Sequence, residues 1–509
     1  MTIRTRRAAP AALLACALLS AMTCTGAAMG ARGRGQHRAP LLRRASATAP
    51  SAAATAPSAA APAPEPPAPP APSLRWVAGR LPAGGALAKG GASVVHTVRQ
   101  GESWQSIADA YLELTSVYDA LELAKAIVNE NLPRSKRGPA PGLEVRIPHV
   151  LASAPKSGAA ERIGLPKDGV LKGLYVRGST AGGKGYPALL DRIAAHGMNA
   201  IVLDVKDYDG PLTYPSKVPL AIEAGAAHKP PMRSYARAVR FAHERGVRVI
   251  ARVSCFNDQL MAKAHPGMAI RGVSGHVYRN GWLDPQNERA QAYAIDLVRE
   301  AIAAGADEIQ LDYVRFPVIG MKNIDFGLDT RKNPNAKVEV ITRFVERVHA
   351  ITRAHGVPLS LDVFGVIAFG KDVDIRNLGQ DPVELAKHSE FLSAMVYPSH
   401  YDDGFMGFDQ PGDHPELVGL GVKHMRAAMV ERGVDPDKVA QIRPWLQAMR
   451  HKSSNYGPGY IQDEIRTGDR AGASGWLLWN PGQVYDVAWR ALPRAKAPAE
   501  KLTRASLRR

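Results

Sequence analysis

The sequence predicts an α/β protein whose main domain, residues 171–493, is a (β/α)8 barrel of the TIM type. Apolar segments with the length of a buried strand alternate eight times with amphipathic segments of helical periodicity. Several of the helical segments end on His-Gly, Arg-Gly or Ala-Gly, which is typical of helix ends. A doubly wound open sheet is the alternative, and it is disfavoured because no G-x-G-x-x-G motif follows the first strand.

Residues 1–31 are predicted to be a secretory signal peptide, because three arginines precede an apolar stretch of about 15 residues and small residues follow it. A membrane span needs roughly 20 apolar residues, and no segment of the chain has them, so no transmembrane segment is predicted. Residues 13–16 resemble a lipoprotein cleavage site, which leaves a lipid anchor at Cys16 open beside a plain signal. We expect an exported protein that is periplasmic, bound to the cell envelope or secreted.

Two linkers and a basic tail are predicted around the folded domains. Residues 32–93 form an Ala/Pro-rich disordered linker, since 40–73 contain almost only Ala, Pro and Ser and bury little apolar surface. Residues 150–170 form a second linker, and residues 494–509 form the tail.

The net charge of +18 lies mainly in the two ends of the chain. Residues 1–93 contain eleven Lys and Arg with one acidic residue, and residues 494–509 contain six with one, so the rest is nearly neutral. Nucleic acid is therefore not a predicted partner. Three cysteines in 509 residues exclude a disulfide framework and a zinc site with four thiolates.

Residues 94–149 are predicted to form a small β-α-α-β domain. The first strand covers 94–98, Ser103 caps a helix with one apolar face, a second helix covers about 119–129, and the last strand covers 143–148. A small capping domain without a ligand is one interpretation of this unit.

The same segment resembles a LysM domain. The resemblance rests on His96-Thr97-Val98, Gly101-Glu102-Ser103, Ile107-Ala108, Asn129 and Val145-Arg146-Ile147-Pro148. It implies binding of glycans that contain N-acetylglucosamine, such as peptidoglycan or chitin. The residues implied to contact the glycan are Gly101, Glu102, Ser103, Asn131 and Leu132.

Polar side chains fall on one face of several predicted barrel strands. The strands are 173–178, 199–207, 248–256, 308–317, 358–366, 391–401, 440–449 and 474–481. Because side chains alternate along a strand, Asp204 and Lys206 share the inward face, as do Asp312 and Asp362 on their own strands. A barrel built only for stability would have Val, Ile and Leu there, so the pattern favours a functional site. A buried ion-pair network, for instance Asp204 with Lys206 or Arg252, is the alternative.

Three of these carboxyl groups, on Asp204, Asp312 and Asp362, are predicted to converge at strand ends, and they suit glycoside hydrolysis. That reaction needs one carboxyl group to protonate the leaving oxygen and another to attack or to activate water. It also needs flat apolar faces for sugar rings. Four tryptophans are candidates for these faces: Trp282, Trp445, Trp476 and Trp479.

No metal and no cofactor are predicted. A metal-dependent hydrolase on this fold would want paired histidines at a strand end, and the first strand has no His-x-His. Lys206 is the one inward lysine that suits a Schiff-base enzyme.

The main domain resembles a bacterial family of glycoside hydrolases with a (β/α)8 barrel. The resemblance covers 171–492 and is carried by GLYV at 173–176, LDVKD at 203–207, QLDYVRFP at 310–317, DVFG at 362–365, MVYPSHY at 395–401 and PWLQ at 444–447. It implies an exported glycosidase acting on a cell-wall or extracellular polysaccharide, with Asp312 as nucleophile and Asp362 as general acid/base. The residues implied to bind the sugar are Asp204, Lys206, Arg315, Tyr397, His400, Gln447 and Trp479.

Two other functions stay open from the sequence. A glycan-binding envelope protein without catalysis would use the same carboxylates only to hydrogen-bond sugar hydroxyls. A peptidoglycan amidase or deacetylase would require a metal. The separation of the two carboxyl groups, which decides between retention and inversion, does not follow from the sequence.

Overall fold

The computed structural model describes residues 74–154, 162–278, 281–318 and 324–494, which form a small domain and a larger α/β domain. The predicted signal peptide, the linker before residue 74 and the basic tail after residue 494 lie outside the described residues. Within the described ranges, no helix has both the length and the apolar character needed to cross a membrane.

The small domain packs two helices on a three-stranded antiparallel sheet. Its elements are α1 (Arg75–Ala78), β1 (Gly85–Leu87), β2 (Val94–Thr97), α2 (Trp104–Tyr111), α3 (Ala120–Glu130) and β3 (Glu144–Ile147). The sheet order is β1-β2-β3. Ile107 and Tyr111 of α2 and Leu123 and Ile127 of α3 are fully buried in one apolar cluster with Val94. The β-α-α-β order is observed from β2 to β3.

The predicted linker 32–93 extends too far toward the C-terminus. Leu74 and Val77 are buried in the core of the small domain, and β1 adds a strand to its sheet. Residues 74–93 are rich in Gly and Ala, so their composition resembles that of the linker although a few of their apolar side chains are buried. The second predicted linker, 150–170, is also partly attached, because the Arg162 guanidinium donates hydrogen bonds to three carbonyl groups of the larger domain.

The larger domain contains a nine-stranded sheet in which all pairings are parallel. Its strands are β4 (Leu171–Val176), β5 (Ala200–Lys206), β6 (Arg248–Ser254), β7 (Glu308–Asp312), β8 (Leu359–Val363), β9 (Phe391–Ala394), β10 (Gln441–Ile442), β11 (Trp445–Gln447) and β12 (Gly475–Trp479). The order is β10-β9-β8-β7-β6-β5-β4-β12-β11.

Helices follow every strand except β10, which runs directly into β11. They are α4 (Gly178–Ala181), α5 (Tyr186–Ala195), α6 (Pro219–Glu223), α7 (Tyr235–His243), α8 (Gln259–Ala264), α9 (Glu288–Ala303), α10 (Ala336–Ala354), α11 (Asp372–Leu378), α12 (Pro382–Ala386), α13 (Leu417–Glu431), α14 (Pro458–Arg470) and α15 (Asp486–Ala491). The predicted alternation of strands and helices is therefore observed along the whole domain.

The sheet curls into a barrel-like form because its two edge strands are consecutive in the chain. Only Arg443 and Pro444 separate β10 from β11. The Arg443 backbone N–H donates to the carbonyl of Leu392 in β9 at 2.9 Å, and the Pro444 carbonyl accepts from Leu477 of β12 at 3.0 Å. The predicted seventh strand, 440–449, is thus divided between the two edges of the sheet.

The interior of the curled sheet contains an apolar cluster and groups of buried charges. Leu171, Val202 and Ile250 belong to an apolar cluster inside the sheet. Arg252 and Asp312 come later along their strands, so their side chains lie toward the carboxyl ends. A separate and larger apolar cluster lies between the sheet and the helices. The carboxyl ends of the strands therefore carry the buried charges of Arg252 and Asp312, whereas Glu308, at the start of β7, forms a separate buried ion pair with Arg443.

Candidate active site

A cleft of about 410 Å³ lies at the carboxyl ends of the strands. This volume is within the range of small-molecule sites in proteins. Five of the residues that line it come from five different strands: Arg252 of β6, Asp312 of β7, Asp362 of β8, Trp445 of β11 and Trp479 of β12. Adjacent parallel strands place these side chains at one rim, as expected for this type of sheet.

The Arg252 guanidinium joins the three inward aspartates. Its Nη1 lies 2.6 Å from Oδ1 of Asp204, and its Nη2 lies 2.5 Å from Oδ2 of Asp312. Its Nε lies 3.1 Å from the same Asp312 oxygen and 3.7 Å from Oδ2 of Asp362. Burial lowers the pKa of Arg252, but the neighbouring acidic groups, Asp312 and Asp204 foremost, outweigh burial and raise the pKa well above its usual value. The guanidinium is therefore a fixed positive charge under the cleft.

Asp312 has hydrogen-bond donors on both of its carboxyl oxygens. Besides the two bonds from Arg252 to Oδ2, the backbone N–H of Tyr313 donates to Oδ1 at 2.6 Å. A carboxyl group that receives only donors is suited to the ionised state.

Asp362 has a different environment from Asp312. Its Oδ1 accepts a hydrogen bond from Nε1 of Trp445 at 2.6 Å. Among the described residues, its Oδ2 has no hydrogen-bond partner. Burial, together with the neighbouring Asp312 carboxylate, raises the pKa of Asp362 well above the usual value. Two neighbouring carboxyl groups whose environments favour opposite protonation states are the arrangement used in acid/base catalysis.

Asp204 lies beneath this pair and is fully buried. Its Oδ2 accepts a hydrogen bond from the Tyr175 hydroxyl at 2.6 Å, and its other oxygen pairs with Arg252. Burial raises the pKa of Asp204 to about 6, although the Arg252 charge acts in the opposite direction. Asp204 is not among the residues that line the cleft, so the structure gives it the role of orienting Arg252 and Tyr175.

Aromatic side chains form the walls of the cleft. Trp479 stacks on Tyr175 with ring centroids 4.2 Å apart, and Tyr397 lies 6.5 Å from Trp479. Tyr208 and Tyr313 also line the cleft, with ring centroids 6.4 Å apart. Flat aromatic faces of this kind can stack on the apolar faces of sugar rings.

Tyr313 has a left-handed backbone conformation, with φ of 49°. A bulky residue in this region is an outlier that costs free energy. The Tyr313 N–H donates to the carboxyl group of the preceding residue, Asp312, and the Tyr313 ring lines the cleft. The strained backbone thus belongs to Tyr313, a residue whose side chain is part of the candidate site.

Lys206 does not line the cleft, in contrast to the sequence-based expectation. Its Nζ lies 2.6 Å from Oδ2 of Asp258, and its side chain is fully buried. The cause is a register shift in β5, where Asp204 pairs with Arg252 but Lys206 pairs with Val253. This irregularity interrupts the alternation of side chains and turns Lys206 toward the helices.

Of three other residues expected to bind the sugar, His400 lines the cleft, whereas Gln447 and Arg315 do not. His400 lines the cleft, and burial lowers its pKa to about 4. Gln447 lies outside it: its amide accepts from the Ser399 N–H and donates to the Met449 carbonyl, which fixes the loops after β9 and β11. Arg315 also lies behind the cleft wall, over the rings of Trp282 and Phe364 at 4.9 and 4.7 Å. Tyr397 and Trp479 line the cleft as expected.

The predicted glycan-binding residues of the small domain occupy its two exposed loops. Gly101 and Leu132 are exposed. Glu102 pairs with His96, Ser103 caps α2, and the Asn131 side chain bonds to the backbone of β3. The last three therefore also have structural roles in holding the loops.

Several cleft residues were missed in the choice of site residues from the sequence. Tyr208 and Tyr313 each follow an aspartate at the end of a strand, and this Asp-Tyr pairing is a signal that could have identified them. Arg252 was recognised only as a member of a possible ion-pair network. Trp445 was one of four undifferentiated tryptophans.

No group of three or more His, Cys, Asp or Glu side chains in the described ranges is arranged to hold a metal ion. The three aspartates surround a guanidinium instead.

Comparison with known proteins identifies the larger domain. The model of a family described as "Putative glycosyl hydrolase domain" matches residues 173–485. No curated protein matches the chain.

Solved structures give weaker likenesses. A hypothetical protein from Ruminiclostridium thermocellum is 34% identical over 37% of this chain and 97% of its own, with a TM-score of 0.33. The PgaB (BpsB) glycoside hydrolase domain from Bordetella bronchiseptica is 14% identical over 64% of this chain and 100% of its own, with a TM-score of 0.46. The Bacillus cereus spore cortex-lytic enzyme SleL is 13% identical over 78% and 85%, with a TM-score of 0.39. The family match spans more than half of the chain, and the chain therefore belongs to this glycosyl hydrolase family.

Proposed function

We propose that the chain is a glycosidase that cleaves a polysaccharide in the cleft, with Asp312 as nucleophile and Asp362 as general acid/base. The observation that carries this proposal is the contrast between the two carboxyl groups. Every donor contact on Asp312 favours the carboxylate, whereas burial beside an anion favours the protonated form of Asp362. In this proposal the curled sheet is a closed (β/α)8 barrel.

The distances support retention of the anomeric configuration. One Oδ2 atom from each carboxyl group lies within 4 Å of the same nitrogen, Nε of Arg252, at 3.1 and 3.7 Å. The two oxygens are therefore closer than the sum of these distances. The carboxyl groups of retaining glycosidases are about 5–5.5 Å apart, which is within this upper limit on the separation of the two oxygens. The carboxyl groups of inverting glycosidases are about 6.5–9.5 Å apart, and most of those separations exceed the limit.

The reaction then has two steps. Asp362 donates its proton to the glycosidic oxygen while an Asp312 oxygen bonds to the anomeric carbon, and the carbon–oxygen bond to the leaving sugar breaks. In the second step the Asp362 carboxylate takes a proton from water, the water oxygen bonds to the anomeric carbon, and Asp312 leaves as a carboxylate. Arg252 stabilises the Asp312 carboxylate each time its charge returns.

We further propose that the protein is exported and that the small domain is a LysM module which binds peptidoglycan or a chitin-like glycan. The sequence of residues 1–31 and the motifs in 94–149 support this, as does the exposure of the loops that contain Gly101 and Leu132. The protein would then act in the periplasm, on the cell envelope or outside the cell, and a lipid anchor at Cys16 is the alternative to removal of residues 1–31.

The test is release of reducing ends by the purified chain from peptidoglycan, chitin and a panel of α- and β-glucans. Asp312→Asn and Asp362→Asn should each abolish release, whereas Asp437→Asn, at an exposed ion pair with Arg426, should retain it.

NMR of the first-formed anomer should show retention. Azide should restore turnover of an activated glycoside by the Asp362→Asn protein, because the intermediate on Asp312 still forms. Binding of glycans without any release would instead favour a non-catalytic glycan-binding protein.

A further inference from the structure

We propose that the small domain is a fixed extension of the cleft rim rather than a mobile anchor, so that it holds a glycan at a set distance from the cleft. The fixed docking stands on contacts between the two domains. The statement about glycan rests on the proposed function of both domains.

The connection between α2 and α3 inserts an aromatic side chain into the larger domain. The Tyr118 ring packs against Tyr186 of α5 and Phe241 of α7, with ring centroids 5.3 and 4.7 Å apart. Its hydroxyl donates a hydrogen bond to the carbonyl of Ala181 in α4. One side chain of the small domain thus contacts three helices of the larger one.

Arg237 of α7 forms the second part of this interface. Its side chain is only 3% exposed, and its guanidinium donates hydrogen bonds to the Val117 carbonyl and to the Glu113 carboxylate, both of the small domain. Arg233 and Asp109 add an ion pair of 2.6 Å at the margin. The hydrogen bonds of Arg237 run from the larger domain to the small one, so separation of the domains would break them.

Part of the interface lies at the same end of the sheet as the cleft, and the contact with Phe241 continues it along the side of α7. Ala181 ends α4, and α4 begins directly after Arg177, which lines the cleft. Tyr186 begins α5, and Arg233 precedes α7, so both mark helix ends that face the carboxyl side of the strands.

The predicted glycan loops are at the opposite end of the small domain's two helices. One loop, 101–103, precedes α2, and the other, 131–132, follows α3, whereas docking uses residues between the helices. At 1.5 Å per residue, these helices of 8 and 11 residues have lengths of about 12 and 16 Å, which separate the loops from the residues between the helices. The docked domain therefore leaves its glycan loops exposed and at a fixed position relative to the rim.

The docking is tested without any activity, by calorimetry and limited proteolysis of the full chain. We expect the wild-type domains to unfold together, and Tyr118→Ala and Arg237→Ala to add an earlier transition and faster cleavage of the small domain. Tyr118→Phe, which keeps the ring but loses the hydrogen bond to Ala181, should fall between Tyr118→Ala and the wild type. Arg347→Ala, which removes an ion pair within the larger domain, should resemble the wild type. Independent unfolding of the two domains in the wild type, unchanged by Tyr118→Ala, would overturn the docking.

The set distance is tested by binding of N-acetylglucosamine oligosaccharides of increasing length to the Asp362→Asn chain. Affinity should rise abruptly at the length that reaches both sites, and Tyr118→Ala should make that rise gradual, because a tethered domain samples many distances. The same gradual rise in both proteins would contradict the inference. Failure of the wild-type chain to release reducing ends from any glycan is a separate result that counts against the proposed function alone.

Discussion

Nε1 of Trp445 lies 2.6 Å from Oδ1 of Asp362, and this hydrogen bond fixes which oxygen of the acid can carry the proton. An indole N–H is a donor only, so Oδ1 must act as the acceptor. When Asp362 is protonated, its proton is therefore on Oδ2, the oxygen that has no hydrogen-bond partner among the described residues. Trp445 is thus a positioning residue for the proposed acid.

Trp445→Phe should move the alkaline limb of the pH profile of kcat/KM to higher pH. The indole hydrogen bond stabilises the Asp362 carboxylate and so opposes the effect of burial, which raises the pKa. Without the indole, the acid form persists to higher pH. Trp476→Phe, at a buried tryptophan in the outer apolar cluster, is the control. A limb that stays in place, or moves to lower pH, would count against this role.

Arg252→Gln should destabilise the fold by roughly 3–5 kcal/mol, because it leaves buried carboxyl groups without their counter-charge. Urea unfolding at neutral pH measures this change. Arg347→Ala, at an exposed ion pair with Glu288, should cost less than about 1 kcal/mol. A loss at Arg252 as small as that at Arg347 would mean that water or protonation compensates for the missing guanidinium.

Asp204 should make the folded state less stable as the pH rises from about 4 to about 6. Its pKa is raised from 3.8 to about 6 by burial, so the folded chain keeps this proton after the unfolded chain has lost it. The free energy of unfolding contributed by this group therefore falls across that window and is constant above it. Asp204→Asn should remove the decline, which urea unfolding at a series of pH values can detect. Parallel curves for wild type and variant would refute it.

Lys206→Met should reduce stability and leave kcat/KM within a few fold of wild type. The lysine is paired with Asp258 in the interior, and removing one partner of a buried pair costs about 3–5 kcal/mol. The double variant Lys206→Met/Asp258→Asn should recover part of the loss, since both charges are gone while an acceptor for the Met261 N–H remains. If the double variant is stable but has no turnover, Lys206 takes part in the reaction and this prediction is wrong.

The strand pattern predicted most of the fold because buried parallel strands and amphipathic helices have distinct periodicities. It also brought Asp312 and Asp362 to one rim, because both end neighbouring strands. The position of Lys206 did not follow, since counting alternate residues assumes an unbroken pairing and β5 contains a register shift. The sequence alone does not reveal such a shift.

Most contacts between strands were the other part that the sequence did not predict. The pair of Asp204 with Arg252 was named as an alternative and is observed, but the bonds from Arg252 to Asp312 depend on the relative register of β6 and β7. Gln447 was also expected to face the sugar, and its amide is used to hold two loops instead. Alternation along one strand gives the side of the sheet, whereas the partner depends on a neighbouring strand.

The division of one strand at Arg443 and Pro444 has a mechanical consequence for the proposed acid. Proline has no N–H, so the chain exchanges one neighbouring strand for the other at this point, and the next residue is Trp445. A single-residue deletion between 441 and 444 would rotate the indole away from Asp362 without altering either side chain. The break between β10 and β11 thus influences the acidity of the Asp362 carboxyl group, which belongs to β8.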